Sequence, residues 1–196
     1  MIRLFKALCK ALLDKMSEEQ AFLAATEAFR PCGGTCEICG TVGKLSDYGE
    51  YGRNHVTIAD NIVIESRVNV RRVRCESCRT SHALLPDTLI PYSPYTLVFK
   101  LTVLTAYFDR DRTVEKLCER FGIAVSTLYE WKKIMTAHKD IMLGVLISRK
   151  IPMPGFLRNL LGSTADISDT LQMFFNKHGF SFMQDASVSV TRPVPT

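Results

Sequence analysis

The chain has 196 residues, 46% hydrophobic and 23% charged, with a formal net charge of +5. That composition excludes a disordered polyelectrolyte and suits a folded protein of one sizeable or two small domains. The small positive surplus favours polyanionic partners without requiring them.

In chain order, "MIRLFKALCKALLDKM" spaces Leu4, Phe5, Leu8, Leu12, Leu13 and Met16 as one face of an amphipathic helix. Lys6 and Lys10 interrupt it, so it does not read as a signal peptide. "SEEQ" at Ser17–Gln20 has the pattern of a capping box and predicts a second helix running to about Arg30. From Pro31 to about Leu85 the texture changes to Gly, Cys and β-branched residues. Val68 and Val70 alternate with polar neighbours, predicting a small β-rich module. "PDTLIPYSPY", with three prolines, predicts an extended connection acting as a boundary or hinge.

Helical signals return from Thr96 to about Val145. "KIPMPGFLRNLLG" and "SDTLQMFFNKHGFSFMQ" then predict one or two short helices, followed by a fraying tail. The most apolar stretch, "TLVFKLTVLTAYF", carries Lys100 and is too short for a bilayer. The expected fold class is α+β, with four segments. Residues 1–30 form N-terminal helices, 31–92 a small β-rich zinc ribbon built on four cysteines, 93–150 a mainly α-helical domain containing a helix-turn-helix, and 151–196 the C-terminal helices and tail. With no export or membrane signal the expected compartment is the cytoplasm, where thiols stay reduced. The seven cysteines therefore read as metal ligands or core residues.

Cys36-Glu-Ile-Cys39 and Cys75-Glu-Ser-Cys78 are two C-x-x-C units about 35 residues apart, both flanking strand-like sequence. Each presents two thiolates on one side of a tight turn, and two such turns close the tetrahedral shell favoured by Zn²⁺. Four thiolates leave no open position for substrate, so the expected role of the zinc is structural. Gly40 suits the turn of the first knuckle. Cys32 and His82 are alternate ligands by position, each more easily read as a bystander, and Cys9 and Cys118 read as small core residues.

Arg67, Arg71, Arg72, Arg74 and Arg79 form a basic row within one short stretch, where on a strand Arg67 and Arg71 share one face and Arg72 and Arg74 the other. Such a row can bind phosphates through bidentate hydrogen bonds, or simply keep a solvated strand from pairing at its edge. "TVEKLCERFGIAVSTLYEWKK" holds a short helix, a Gly122 turn and a second helix, the ingredients of a helix-turn-helix. Its inward spacing takes Val125, Leu128 and Trp131 or Lys132, and its groove-facing candidates are Ser126, Thr127, Glu130 and Lys133, with Lys132 toward the DNA backbone.

"VRRVRCESCRTSHALLPDTLIPYSPYT" resembles a bacterial zinc-ribbon family, domain of unknown function 6431. The resemblance rests on Arg71-Arg72, Cys75, Cys78, His82, Leu85-Pro86-Asp87 and Ile90-Pro91-Tyr92, over about residues 31–110. It implies an accessory factor of a transposon or other mobile element. Phe121–Trp131 separately resembles the helix-turn-helix at the front of many transposases, with Ala124 where a capping Ser is usual. The stretch after Val145, with Asp166, Asp169 and Asp185 as its carboxylates, reads as too short and too poor in β-strand pattern for a transposase nuclease fold.

The expectation is thus a non-catalytic DNA-binding accessory protein, with DNA and a transposase or other mobile-element protein as partners. The alternative is an adaptor docking on a transposase or polymerase through the apolar C-terminal residues. An enzyme is not expected, because His55, His82, His138 and His178 are scattered and no nucleophile-base spacing stands out.

Overall fold

The computed structural model describes residues 1–5, 16–110, 112–146, 153–162 and 167–185. The architecture is mixed α+β, with a four-stranded sheet and six α-helices among the described residues.

The sheet is dominated by a long antiparallel ribbon of β2 (Leu45–Ala59) and β3 (Ile62–Cys75), paired from Leu45↔Cys75 to Ala59↔Ile62. Asp60 and Asn61 close it with φ of 49° and 67°, the left-handed pair that two-residue hairpins require and that Asp and Asn tolerate best after Gly. The register shifts between Asp47 and Glu50, and Gly49 at φ 96° absorbs the extra residue as a bulge. β4 (Ser81–Pro86) pairs antiparallel with β3, and β1 (Ile2–Leu4) pairs parallel with β4, giving the order β1-β4-β3-β2.

β1 corrects the sequence reading. The spacing places residues 2–4 in a helix, yet pairing Ile2–Leu4 with Leu84–Pro86 satisfies their backbone and buries Ile2 and Arg3. That tertiary gain overrides a weak local helix preference. The remainder of the expected helix, 6–15, lies outside the described residues.

The second helix forms as read. α1 (Glu18–Ala28) opens on a complete capping box, with Ser17 Oγ accepting from Gln20 N–H and Gln20 Oε1 accepting from Ser17 N–H. Its Phe22 is buried with Val68, Val70, Leu85 and Leu89, so this helix is fastened to the sheet.

The proline-rich connection is extended but far from loose. Asp87, Thr88, Leu89 and Ile90 are buried. Arg3 Nη1 donates to the Leu89 carbonyl at 2.7 Å, and Arg53 Nη2 donates to the carbonyls of Ile90 and Ser93. α2 (Leu97–Asp109) then starts from Thr96, whose hydroxyl caps Phe99 N–H, and buries Phe99, Leu101, Val103 and Leu104.

α3 (Val114–Phe121), α4 (Val125–Leu146), α5 (Met153–Gly162) and α6 (Ile167–His178) pack around α2 in the largest core. The C-terminal apolar supply is mostly spent there. Phe156, Leu157, Leu160, Leu171, Phe174, Phe175 and Phe182 are buried, and Met173 is the large side chain left exposed. The tail beyond residue 185 lies outside the described residues. Among the described residues no helix is long and apolar enough to cross a membrane.

Candidate functional site

Two turns of the same construction meet at the open end of the β2–β3 ribbon. In the first, Cys36 N–H donates to Thr41 O at 2.9 Å and Gly40 N–H to Cys36 O at 2.8 Å. In the second, Cys75 N–H donates to Thr80 O at 2.9 Å and Arg79 N–H to Cys75 O at 2.9 Å. Gly40 and Arg79 both sit in the left-handed region, at φ 71° and 62°. The paired positions Thr35↔Val42 and Arg74↔Ser81 flank the turns identically. Glu76 N–H, donating to Lys44 O at 2.8 Å, ties one knuckle to the other.

This brings the Sγ atoms of Cys36, Cys39, Cys75 and Cys78 within 4.8 Å of one another. Cys36 and Cys78 are 3.6 Å apart and Cys39 and Cys75 3.7 Å. A tetrahedron of sulfurs each about 2.3 Å from a central ion has edges of about 3.8 Å, so the four thiols can hold a metal ion. Cys36 and Cys75 are buried, Cys39 exposed and Cys78 half-buried.

The surroundings act on the thiols in opposite directions. Burial pushes the Cys36 thiol up to about 11, opposed by the backbone N–H groups of Ile38 and Cys39. Thr41, by side chain and backbone, brings Cys39 down to about 6, and Thr80 lowers Cys78 in the same way. The repeat Cys-x-Thr after each second thiol, Cys39-Gly-Thr41 and Cys78-Arg-Thr80, is a visible sequence signal that C-x-x-C spacing alone leaves unused.

Of the two alternate ligands, Cys32 is exposed and lies outside the four-thiol group. His82 is buried, with Nε2 3.3 Å from Cys36 Sγ and Nδ1 3.1 Å from the Met1 amino group. Burial, with that amino group adding to it, lowers its pKa to about 4. The ring is therefore neutral near pH 7, and these partners suit an Nε2–H that donates to the sulfur.

The arginine row is divided in its roles. Arg71 is half-buried and committed, its Nε and Nη2 each 2.7 Å from Asp47 Oδ1 and its Nη1 donating to the Thr26 and Phe29 carbonyls. Arg72 donates to Ser81 Oγ at 2.7 Å and Arg74 to Arg79 O at 3.1 Å. Both guanidiniums lie over the ring of half-exposed Tyr48, at 5.2 and 5.1 Å from its centroid. Tyr48 is a member of this basic surface that spacing alone does not reveal. Arg67 and Arg79 are exposed.

In the helical half, α3 and α4 are joined at Gly122, left-handed at φ 63°. Leu117, Cys118, Phe121, Ile123, Leu128 and Trp131 are buried between them and α2. Val125, expected inward, is 41% exposed, because the inward face of α4 runs through Leu128, Trp131, Met135 and His138. Ser126, Glu130 and Lys133 are exposed. Lys132 donates to Tyr107 Oη at 3.1 Å and lies over the rings of Tyr107 and Tyr129. Thr127 and Glu130 also line a cavity of about 280 Å³ against Lys100 and the loop from Ile90 to Tyr95.

Residues 36–131 match the model of the family described as "Domain of unknown function (DUF6431)". The match spans both knuckles, the ribbon and the start of α4, and supports that family for this stretch. No curated protein and no solved structure matches the chain.

Proposed function

We propose that this protein is a non-catalytic DNA-binding accessory protein of a transposon or other mobile element. In this reading the four thiols bind a structural Zn²⁺ and make the β-module a zinc ribbon, while α3 and α4 act as a helix-turn-helix.

The observation that carries it is the α3–Gly122–α4 pair. Its inner face is fixed in the core while its outer face presents Ser126, Tyr129 and Lys133 near the start of α4, the end of a recognition helix that meets base edges. Arg67 on the fastened ribbon and Arg79 in the second knuckle turn add exposed charges for phosphates. The resemblance of Phe121–Trp131 to transposase helix-turn-helices supports the mobile-element setting. The adaptor reading rests on C-terminal apolar residues that are mostly buried in the core, so the observation behind it is weakened.

Binding of this kind weakens steeply with salt as condensed counterions are released. Fluorescence anisotropy of labelled duplex DNA against NaCl concentration tests it. The expected result is a linear fall of log affinity with log salt, with a slope shallower by about 1 for each of Arg67→Ala and Arg79→Ala. Absence of binding to any DNA at low salt overturns the reading.

A further inference from the structure

We propose that the cavity between α4 and the Ile90–Tyr95 loop takes an unpaired guanine base of a nucleic-acid strand, an inference that rests on the DNA-binding reading and extends it. The walls are aromatic. Trp131 lies edge-on to Tyr95 at 4.9 Å between centroids, and both line the space with Tyr92. At about 280 Å³ the volume suits one base and is small for a larger ligand.

The polar groups give the chemical class. Lys100, 4% exposed, places Nζ 3.5 Å from the Met183 carbonyl and 5.2 Å over the Trp131 ring. An ammonium has three donors, and among the described residues this one makes a single hydrogen bond. Burial lowers its pKa to about 8, with Glu130 acting to raise it, so it is still mostly charged at neutral pH. Glu130, lining the same cavity, offers carboxylate acceptors.

The Watson–Crick edge of guanine presents one acceptor, O6, followed by two donors, N1–H and N2–H₂. An ammonium beside a carboxylate is its complement. Adenine and cytosine each set one amino donor beside one ring acceptor and so give the carboxylate a single hydrogen bond where guanine gives two, and thymine matches at O4 and N3–H but turns O2 toward it. Glu130 and Asp185 both border the space, so it disfavours a phosphate and the base itself is the occupant.

Tyr92 adds an independent sign. It is 72% exposed yet held at φ 61°, a conformation costly for a residue with a Cβ. The Arg53 bonds to the Ile90 and Ser93 carbonyls on either side maintain it. An exposed aromatic kept in place this way is a ready stacking surface for a base. On its other flank a wider concavity of about 680 Å³, walled by Tyr51, Arg53 and Asn54, has room for the neighbouring nucleotide.

Trp131 is the one tryptophan of the chain, so its fluorescence reports on this cavity directly. Single-stranded pentamers of thymidine with G, A, C or T at the centre are titrated against the full protein, with duplex binding followed in parallel by gel shift. The expected result is quenching with at least tenfold tighter binding of the G oligomer, the preference falling to within about threefold in Glu130→Gln, and weaker G binding in Lys100→Met. Glu130 is exposed, so Glu130→Gln keeps its fold. Equal binding of all four oligomers, or a G preference unchanged in Glu130→Gln, overturns the inference; duplex shifts that persist then leave the DNA-binding reading standing. Loss of every nucleic-acid interaction overturns both.

Discussion

Thr41 and Thr80 stand two residues after the second cysteine of each knuckle and lower the pKa of the thiol they face. Such partners orient ligands and stabilise their charged form, and their loss typically costs 10- to 100-fold in metal affinity. Thr41→Val is therefore expected to transfer its metal to a chromophoric chelator at tenfold or more lower chelator concentration, with the fold unchanged by circular dichroism. Cys36→Ser is expected to lose bound metal altogether, while Cys32→Ser keeps a full complement by elemental analysis. The four thiols are legible from C-x-x-C spacing, because that spacing is itself the geometry of a knuckle. The position of His82 is not, since a ligand and a hydrogen-bond donor to a ligand obey the same spacing. Glu18 supplies a pH signature. Burial, with Asp87 adding to it, pushes its carboxyl up to about 8, and Thr57 Oγ1 donates to it. A raised folded-state pKa means that the folded protein holds a proton which the unfolded chain releases above about 4.5, so stability falls as pH rises from there to about 8. Glu18→Gln removes this dependence. Its melting temperature should match that of the parent near pH 4.5 and exceed it progressively up to pH 8.

Among the elements, the turn between α3 and α4 and the approach to the first knuckle use glycine for opposite reasons. Gly122 is left-handed with open space around it, so Gly122→Ala meets backbone strain alone and is expected to cost about 1 kcal/mol in urea unfolding. Gly34 is extended, but an added Cβ would come within 2.7 Å of Leu45 Cδ1 and 2.9 Å of Phe29 Cζ. Leu45 packs beside Cys36 and Cys75, so Gly34→Ala disturbs the wall of the four-thiol cluster, at about 1–3 kcal/mol. α2, α3 and α4 are legible because caps and 3.6-residue periodicity are local properties. β2 is only partly so, since Gly49 and Gly52 weaken its strand pattern and its length depends on pairing with β3. β1 is illegible for the same reason in stronger form: three residues become a strand only because β4 lies beside them.

At the scale of the molecule, the sheet and the helices share one support. Val56, Ile58 and Val63, near the closed end of the ribbon, pack against the helical core, and Arg120 of α3 donates to Asn61 Oδ1 at 2.6 Å at its tip. The thiol cluster lies at the opposite end, beside Leu45 and Cys75. Chelation is therefore expected to lower the melting temperature of the helical signal as well as of the ribbon, measured by circular dichroism before and after metal removal. A fifteen-residue strand extends about 45–50 Å. The ribbon is thus a beam anchored at both ends, by sulfur at one and by a helix at the other. A slip of one residue at the thiol end would turn Val56, Ile58 and Val63 away from the core and carry Asn61 off Arg120. The thiols therefore act as a gauge that sets the phase of the beam, so that the correct side chains arrive at the helices far from the sulfur.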